Sequence, residues 1–434
     1  MSTNPLFSIV IPTRNRANLL PNALQSAMEQ THNDYEIIVS SNNSTDETEQ
    51  VVRRLGDSRV RYVRTDRDLP MADSWEFALS HARGDYVTLL SDDDALSPTL
   101  LERLDKLLID RPVKLISWNR FLYIMDDWYV ESDRNRLFLG PVSGRAQEES
   151  SESMLRQWFD GCHYYSQAPM LFNACCHRSI IESVKKKAGR FFLGTSPDIA
   201  ASIALLSTTP SFTLVDDVFS LAGSGRQSIG GNTMYNRGNA LQVFISELDD
   251  DAFPRGPFKA TMLTTGVADT LITLKEALPG SLANYEINWA NYFINCYKDI
   301  MQYEKNGVDI SGERKQLWKL ILKQPQAIKV EFLRFVMSSV RAGAEMPEER
   351  TQLWKLALAQ PPAIKLDFLR FVAGVQRRKL RNRPSSELTT PTPVPNPYVI
   401  SGTEAGFTNI LECARMLDSF VSRIKRGELP LSNS

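Results

Sequence analysis

Residues 5–225 alternate short apolar runs with segments whose apolar positions recur every three or four residues. Phe7 to Ile11 (Phe-Ser-Ile-Val-Ile) is an apolar run halted by Pro12, the pattern of a buried parallel strand. Leu19, Leu20, Ala23, Leu24 and Ala27 then recur at helical spacing. The pattern predicts a second strand over 35–39, a helix from about Asp46 to Leu55, a third strand over 60–63 and a helix carrying Trp75 to Ala82 that ends at Gly84. Tyr86 to Leu90 reads as the fourth strand. Further strands are predicted over 115–118, 128–130 and 212–221, and helices over 151–159 and 198–206. This β-α-β-α order predicts an α/β domain over residues 1–235 with a mostly parallel sheet and right-handed crossovers. Its polar loops at 13–16, 40–46 and 91–94 converge on one edge, where open α/β sheets bind ligands.

From 236 to 383 the periodicity is helical, and the region contains an internal repeat. Glu313 to Val336 (ERKQLWKLILKQPQAIKVEFLRFV) recurs at Glu349 to Val372 (ERTQLWKLALAQPPAIKLDFLRFV), a period of 36 residues. Each copy reads as a helical hairpin, and the period lies near those of helix-pair solenoids. Two copies are too few for an independent array, so they are expected to pack on neighbouring helices. Trp318 and Trp354 sit inside the apolar periodicity and are expected to be core anchors. A Ser/Thr/Pro-rich stretch at 384–400 reads as an extended linker. An amphipathic helix follows within 401–434, with Phe407, Ile410, Leu411, Ala414, Leu417, Phe420, Val421 and Ile424 as its apolar positions. Its expected partner is the protein itself or a second copy. Peripheral contact with the inner face of a membrane is the alternative, since Arg423, Lys425 and Arg426 close the helix.

Composition narrows the class. The 434 residues are 42% hydrophobic and 23% charged, ordinary for a soluble protein of two or three domains. A formal net charge of −1 argues against nucleic acid as a partner. The five cysteines (Cys162, Cys175, Cys176, Cys296, Cys413) show no CxxC spacing, which argues against a zinc site and a disulfide framework. No signal-peptide pattern or spanning apolar stretch occurs, so a cytoplasmic location is expected.

The chemistry concentrates where the fourth strand runs into Ser91, Asp92, Asp93 and Asp94. Adjacent carboxylates repel and need partners if buried, so at a strand's carboxyl end they suit a hard divalent cation, Mn²⁺ or Mg²⁺. A solvated acidic turn before the helix near Pro98 is the plain alternative. Asp198, in Gly-Thr-Ser-Pro-Asp, heads a predicted helix, where a carboxylate suits the N-terminus as a charge. His163, Tyr164 and Tyr165 form a polar-aromatic loop suited either to stacking on a ligand ring or to packing. Residues 223–231, holding Arg226, read as a flexible loop.

The segment FSIVIPTRNRANLLPNALQSAMEQTHNDYEIIVSSNNSTDET resembles the opening of family 2 glycosyltransferases, which have the GT-A nucleotide-sugar fold. The acidic junction, with Pro98 four residues past Asp94, resembles that family's DXD-type metal motif. The likeness spans about residues 5–225. It implies an inverting transferase that moves one sugar from a nucleoside diphosphate-sugar to a saccharide, lipid-linked or protein acceptor, in glycan, polysaccharide or glycoconjugate synthesis. It implies that Pro12, Thr13, Arg14, Asn15 and Arg16 wall the base and ribose, joined by Ser41, Asn42, Ser74, Trp75, Asp92 and Asp93. Asp94, then Asp93, would meet the metal, Arg226 would clamp phosphate, and Asp198 would be the base. Ser41 stands where many relatives carry an aspartate facing uracil, which leaves the nucleotide base open. A nucleotidyltransferase is disfavoured because Pro-Thr-Arg-Asn-Arg is no glycine-rich phosphate loop. A catalytically silent scaffold working through its helical repeats is the remaining alternative.

Overall fold

The structure is a computed structural model that describes residues 4–161, 167–235, 246, 254–341, 350–380 and 398–429. Its organising element is one sheet built from β1 (Phe7–Thr13), β2 (Tyr35–Ser41), β3 (Val60–Arg64), β4 (Tyr86–Leu89), β5 (Ala95–Leu96), β6 (Leu115–Ile124), β7 (Arg136–Leu139), β8 (Ala146–Ser150), β9 (Ala174–His177), β10 (Ser211–Ser224) and β11 (Tyr398–Ser401). The order across it is β3-β2-β1-β4-β9-β6-β7-β11, and β10 pairs with β5, β6 and β8. The sheet is mixed. β1, β2, β3 and β4 run parallel in register, with Ile9 beside Ile37 and Thr88. β9 then enters antiparallel between β4 and β6.

Alternation along β1 divides the core. Phe7, Ile9 and Ile11 face one layer, with α1 (Leu20–Met28) and α4 (Leu100–Asp110). Val10 faces the other, which holds α3 (Met71–Ser80), α5 (Ser151–Phe159), α6 (Arg178–Ala188) and α7 (Pro197–Leu206). All seven residues of β1 are buried, as its unbroken apolar run predicts. α2 (Thr48–Leu55) stops at Gly56, whose φ of 61° ends the helix in the left-handed region. The strand expected over 128–130 is not one. Chain pairing is taken instead by β7, after a turn and a 3₁₀ segment at Glu131–Asp133.

The C-terminal segment completes this domain. β11 adds to β7 antiparallel, Tyr398 beside Leu139, so the last residues of the expected linker are a strand; 384–397 lie outside the described residues. After the short α8 (Ile229–Tyr235), the helices are α9 (Leu263–Ala277), α10 (Pro279–Leu282), α11 (Trp289–Lys305), α12 (Ser311–Lys323), α13 (Gln326–Arg341), α14 (Arg350–Leu358), α15 (Pro362–Leu380), α16 (Gly402–Ala405) and α17 (Ile410–Lys425). α17 buries Ile410, Leu417, Phe420 and Val421 against Tyr123, Leu137, Val218 and Leu221 of the sheet. Fully buried Asp217 is paired there by Arg103 and by Lys425, 2.7 Å away. The apolar face of α17 is therefore occupied by its own domain. The repeat forms two hairpins, α12–α13 and α14–α15, that share a core with α11. Trp318 is 1% exposed, as expected of a core anchor, but Trp354 is 37% exposed. Among the described residues no helix is long and apolar enough to cross a membrane.

Candidate active site

The acidic loop sits where β1, β4, β6 and β10 bring their ends together. Asp92, Asp93 and Asp94 are buried, at 3%, 7% and 2% exposure, so each needs a partner. Arg16, in the turn after β1, supplies the first. Its Nη1 donates to Asp92 Oδ1 at 2.7 Å and lies 3.8 Å from Asp93 Oδ2, while Nη2 donates to the Gln227 carbonyl at 2.5 Å. One side chain thus ties the β1 turn, the acidic loop and the segment after β10. Burial opposes the Arg16 charge, but Asp92, Asp93 and Asp94 outweigh it and raise its pKa.

Arg120, on β6, supplies the second partner. Its guanidinium pairs with Asp94 Oδ2, lies over the Phe172 ring at 5.5 Å and leaves Nε buried without an acceptor among the described residues. The Gly223 amide donates to Asp94 Oδ1 at 3.0 Å. A side chain at Gly223 would put its Cβ 1.8 Å from the Asp93 carbonyl oxygen, so glycine is needed for β10 to come this close. Burial pushes the Asp94 carboxyl up to about 7 against the pull of Arg120, and burial likewise raises Asp92 against Arg16. With all three carboxylates ionised, three negative charges face two guanidiniums, for a net of −1.

Asp198 stands in the first turn of α7, behind Pro197. Its Oδ1 accepts the Ile199 N–H at 2.8 Å, and its own backbone N–H also acts on the carboxylate. Burial raises its pKa, the N–H bond lowers it, and the Arg120 charge lowers it further. Arg120 thus pairs directly with Asp94, while on Asp198 its charge is the smallest of these influences. A lone arginine within an apolar strand carries no motif, so spacing could not single it out; only the pairing of β6 with its neighbours does.

The other expected site residues divide. Pro12 and Thr13 end β1 beside the acidic loop, and Asp92 joins Arg16 as above. Asn15 adopts φ 52°, accepts the Thr45 N–H through Oδ1 and donates its own N–H to Ser44, so it stitches two loops together. Arg14 turns away to Asp68 at 2.6 Å. The Ser41 hydroxyl accepts the Ser44 N–H, and the Asn42 amide is spent on Leu69 and Thr65. Asp46 accepts the Ala17 and Thr48 amides, a bracing role at the head of α2. Ser74 is buried on α3, and Trp75 packs edge-on against Phe172 and Phe192 in the core. Residues 223–231 are not a flexible loop but the end of β10, a turn and the start of α8. Arg226 in that turn is held by Asp127, its Nε 2.7 Å from the carbonyl, and lies over Tyr129. His177 and Arg178 sit at the opposite end of the sheet, where Arg178 donates to Ala82 and Gly84 carbonyls. His163, Tyr164 and Tyr165 lie outside the described residues.

Residues 8–174 match the family model Glycosyl transferase family 2. This segment belongs to that family. It is similar to a putative colanic acid biosynthesis glycosyl transferase of Escherichia coli (strain K12), 34% identical over 103 residues, which are 23% of this chain and 37% of that protein. It is also similar to the GalNAc(5)-diNAcBac-PP-undecaprenol beta-1,3-glucosyltransferase of Campylobacter jejuni, 38% identical over 104 residues, 23% of this chain and 33% of that one. The chain thus spans about a third of the length of these relatives. Among solved structures, the S. aureus TarS 1–349 complex with UDP-GlcNAc aligns with 12% identity and a TM-score of 0.45, covering 88% of this chain and 93% of that one.

Proposed function

We propose that the chain is an inverting glycosyltransferase that moves one sugar from a nucleoside diphosphate-sugar to an acceptor hydroxyl, in polysaccharide or glycoconjugate synthesis. The observation that carries the reading is the buried acidic loop at the end of β4, where Arg16 and Arg120 hold Asp92 and Asp94 within a segment that matches the family 2 glycosyltransferase model. Single displacement needs a base on the acceptor side and a stabilised leaving diphosphate on the other. Asp198 suits the first role, since its raised pKa makes it a better proton acceptor than a free carboxylate and its only neighbours in hydrogen bonding among the described residues are backbone N–H groups of its own helix start. Arg16 and Arg120 suit the second, as fixed cations beside the place where charge would grow.

A divalent cation, Mn²⁺ or Mg²⁺, fits this donor set when the diphosphate brings further ligands. The carboxylates are hard oxygen donors with net negative charge, but among the described residues no three or more His, Cys, Asp or Glu side chains form a metal cage. Both Asp94 oxygens are engaged, by Arg120 and the Gly223 amide, whereas Asp93 accepts the Ser91 hydroxyl on Oδ1 and, among the described residues, its Oδ2 has the 3.8 Å contact with Arg16 and no hydrogen bond. Asp93 is therefore the first ligand proposed and Asp94 the second. When bound, the cation would neutralise the leaving diphosphate. Asp92 would keep Arg16 oriented, and Thr13 with the β1 turn would border the nucleotide. The acceptor class stays a saccharide, a lipid-linked saccharide or a protein.

Asp198→Asn tests the assignment. It preserves the shape and the Ile199 contact but removes the base, so transfer should fall by 10²–10⁴-fold, the usual worth of a general base, with donor binding retained. Transfer at the wild-type rate would refute the role.

A further inference from the structure

Asp269, on α9, is buried at 2% exposure, and a carboxylate at that depth needs donors. It has two. The Thr195 hydroxyl donates to Oδ2 at 2.9 Å, and the Arg255 N–H donates to Oδ1 at 3.1 Å. Thr195 lies three residues before Asp198, in the turn that enters α7. The same turn follows α9 for its whole length. A Cβ at Gly194 would stand 3.8 Å from Thr270 and Thr273, and one at Gly266 would stand 3.5 Å from Ser196 Oγ. Just upstream the chain is held from the other side by α3, where Glu76 Oε2 accepts the Phe191 and Phe192 N–H groups at 2.9 and 3.0 Å. Ser196, the residue before α7, makes no side-chain cap, so the bond from Thr195 to Asp269 fixes the helix start from outside.

α9 belongs to two cores. Val267 and Leu271 share one with Ile199 and Ile203 of α7, and Ala268 shares the other with Phe293 of α11 and the helical repeats. It is the element by which the helical region meets the head of α7. We infer that Asp269 is a positioning residue for the proposed base: through Thr195 it sets where α7 begins, and so where the Asp198 carboxylate stands toward the acceptor. The inference rests on the base role proposed for Asp198. A carboxylate suits this position because it accepts on both oxygens at once, a hydroxyl on one and a backbone amide on the other. Transfer tolerates little error there, since a misplacement of about 1 Å costs about 10²-fold. The helical region, which lies beyond the matched family segment at 8–174, thereby takes a part in transfer.

Release of nucleoside diphosphate from UDP-, dTDP-, GDP- and CDP-hexoses by the full chain, with water as acceptor, provides the assay. Thr195→Val keeps the side chain's shape and removes the hydrogen bond. Its kcat should fall about 10²-fold at unchanged donor KM, and Thr195→Ser, which restores the hydroxyl, should recover most of the loss. Asp269→Ala should show the same split; if it does not fold, the Thr195 pair carries the test. In an Asp198→Asn background, Thr195→Val should cost less than about threefold more, because both changes act through one carboxylate. Wild-type kcat in Thr195→Val, beside a slow Asp198→Asn, would overturn the inference and leave the base role standing. An equal loss from Thr195→Val in both backgrounds would overturn it too, by showing that the bond acts elsewhere. A wild-type rate in Asp198→Asn would instead remove the base role, and this inference with it.

Discussion

Arg120 is the residue on which the site's electrostatics turns. It pairs with Asp94, and its charge lowers the pKa of Asp198. Arg120→Gln should therefore raise the Asp198 pKa, and because the proposed base would work ionised, the acid limb of the pH profile of kcat/KM should move to higher pH. An acid limb that stays in place would remove Arg120 from the mechanism. The same change strips buried Asp94 of its cation, at a cost of about 3 kcal/mol when the carboxyl is ionised. The pH sign follows from Asp94 lying up to about 7 in the folded protein, above its ordinary value of 3.8. Between those values the folded state holds a proton that the unfolded chain has lost, so this group's contribution to stability falls as pH rises through the window. The cost of Arg120→Gln should accordingly be larger at pH 8 than at pH 5 in chemical denaturation. Gly223→Ala makes a second residue-scale test. Its Cβ would collide with the Asp93 carbonyl, so β10 must retreat and the Gly223–Asp94 hydrogen bond must open. A loss of about 3 kcal/mol and weakened nucleotide binding are expected; wild-type melting and binding would contradict the close approach.

At the scale of elements, the chain was most legible where one element decides its own environment. The apolar runs of β1, β2 and β4 and the helical spacing before Met28 appear as read. What failed to be legible depends on neighbours distant in sequence. Trp318 and Trp354 have the same local sequence, yet one is sealed and the other is not, because only position in the stack separates them. Arg14, Ser41, Asn42 and Trp75 occupy motif positions, yet their side chains brace loops or fill the core. β11 follows a Pro-rich stretch and pairs with a strand more than 250 residues earlier in the chain, a relation no local pattern encodes. The amphipathic pattern of α17 announced an apolar face without naming its partner. Because that partner is the sheet, Phe420→Ala should cost about 3–5 kcal/mol in denaturant unfolding. A cost near zero would mean that α17 packs elsewhere.

At the scale of the molecule, the C-terminal strand and helix pack on the sheet whose strand ends carry the candidate site, while the repeats share a second core with α11. The central claim is that the acidic loop receives a nucleoside diphosphate-sugar together with a divalent cation. A thermal-shift panel of nucleotide-sugars, each with and without Mn²⁺ or Mg²⁺, tests it most directly. The account predicts that nucleotides of one base raise the melting temperature when metal is present, and that Asp93→Asn abolishes the metal-dependent part of the rise. An unchanged melting temperature with every nucleotide, metal present or absent, would contradict it.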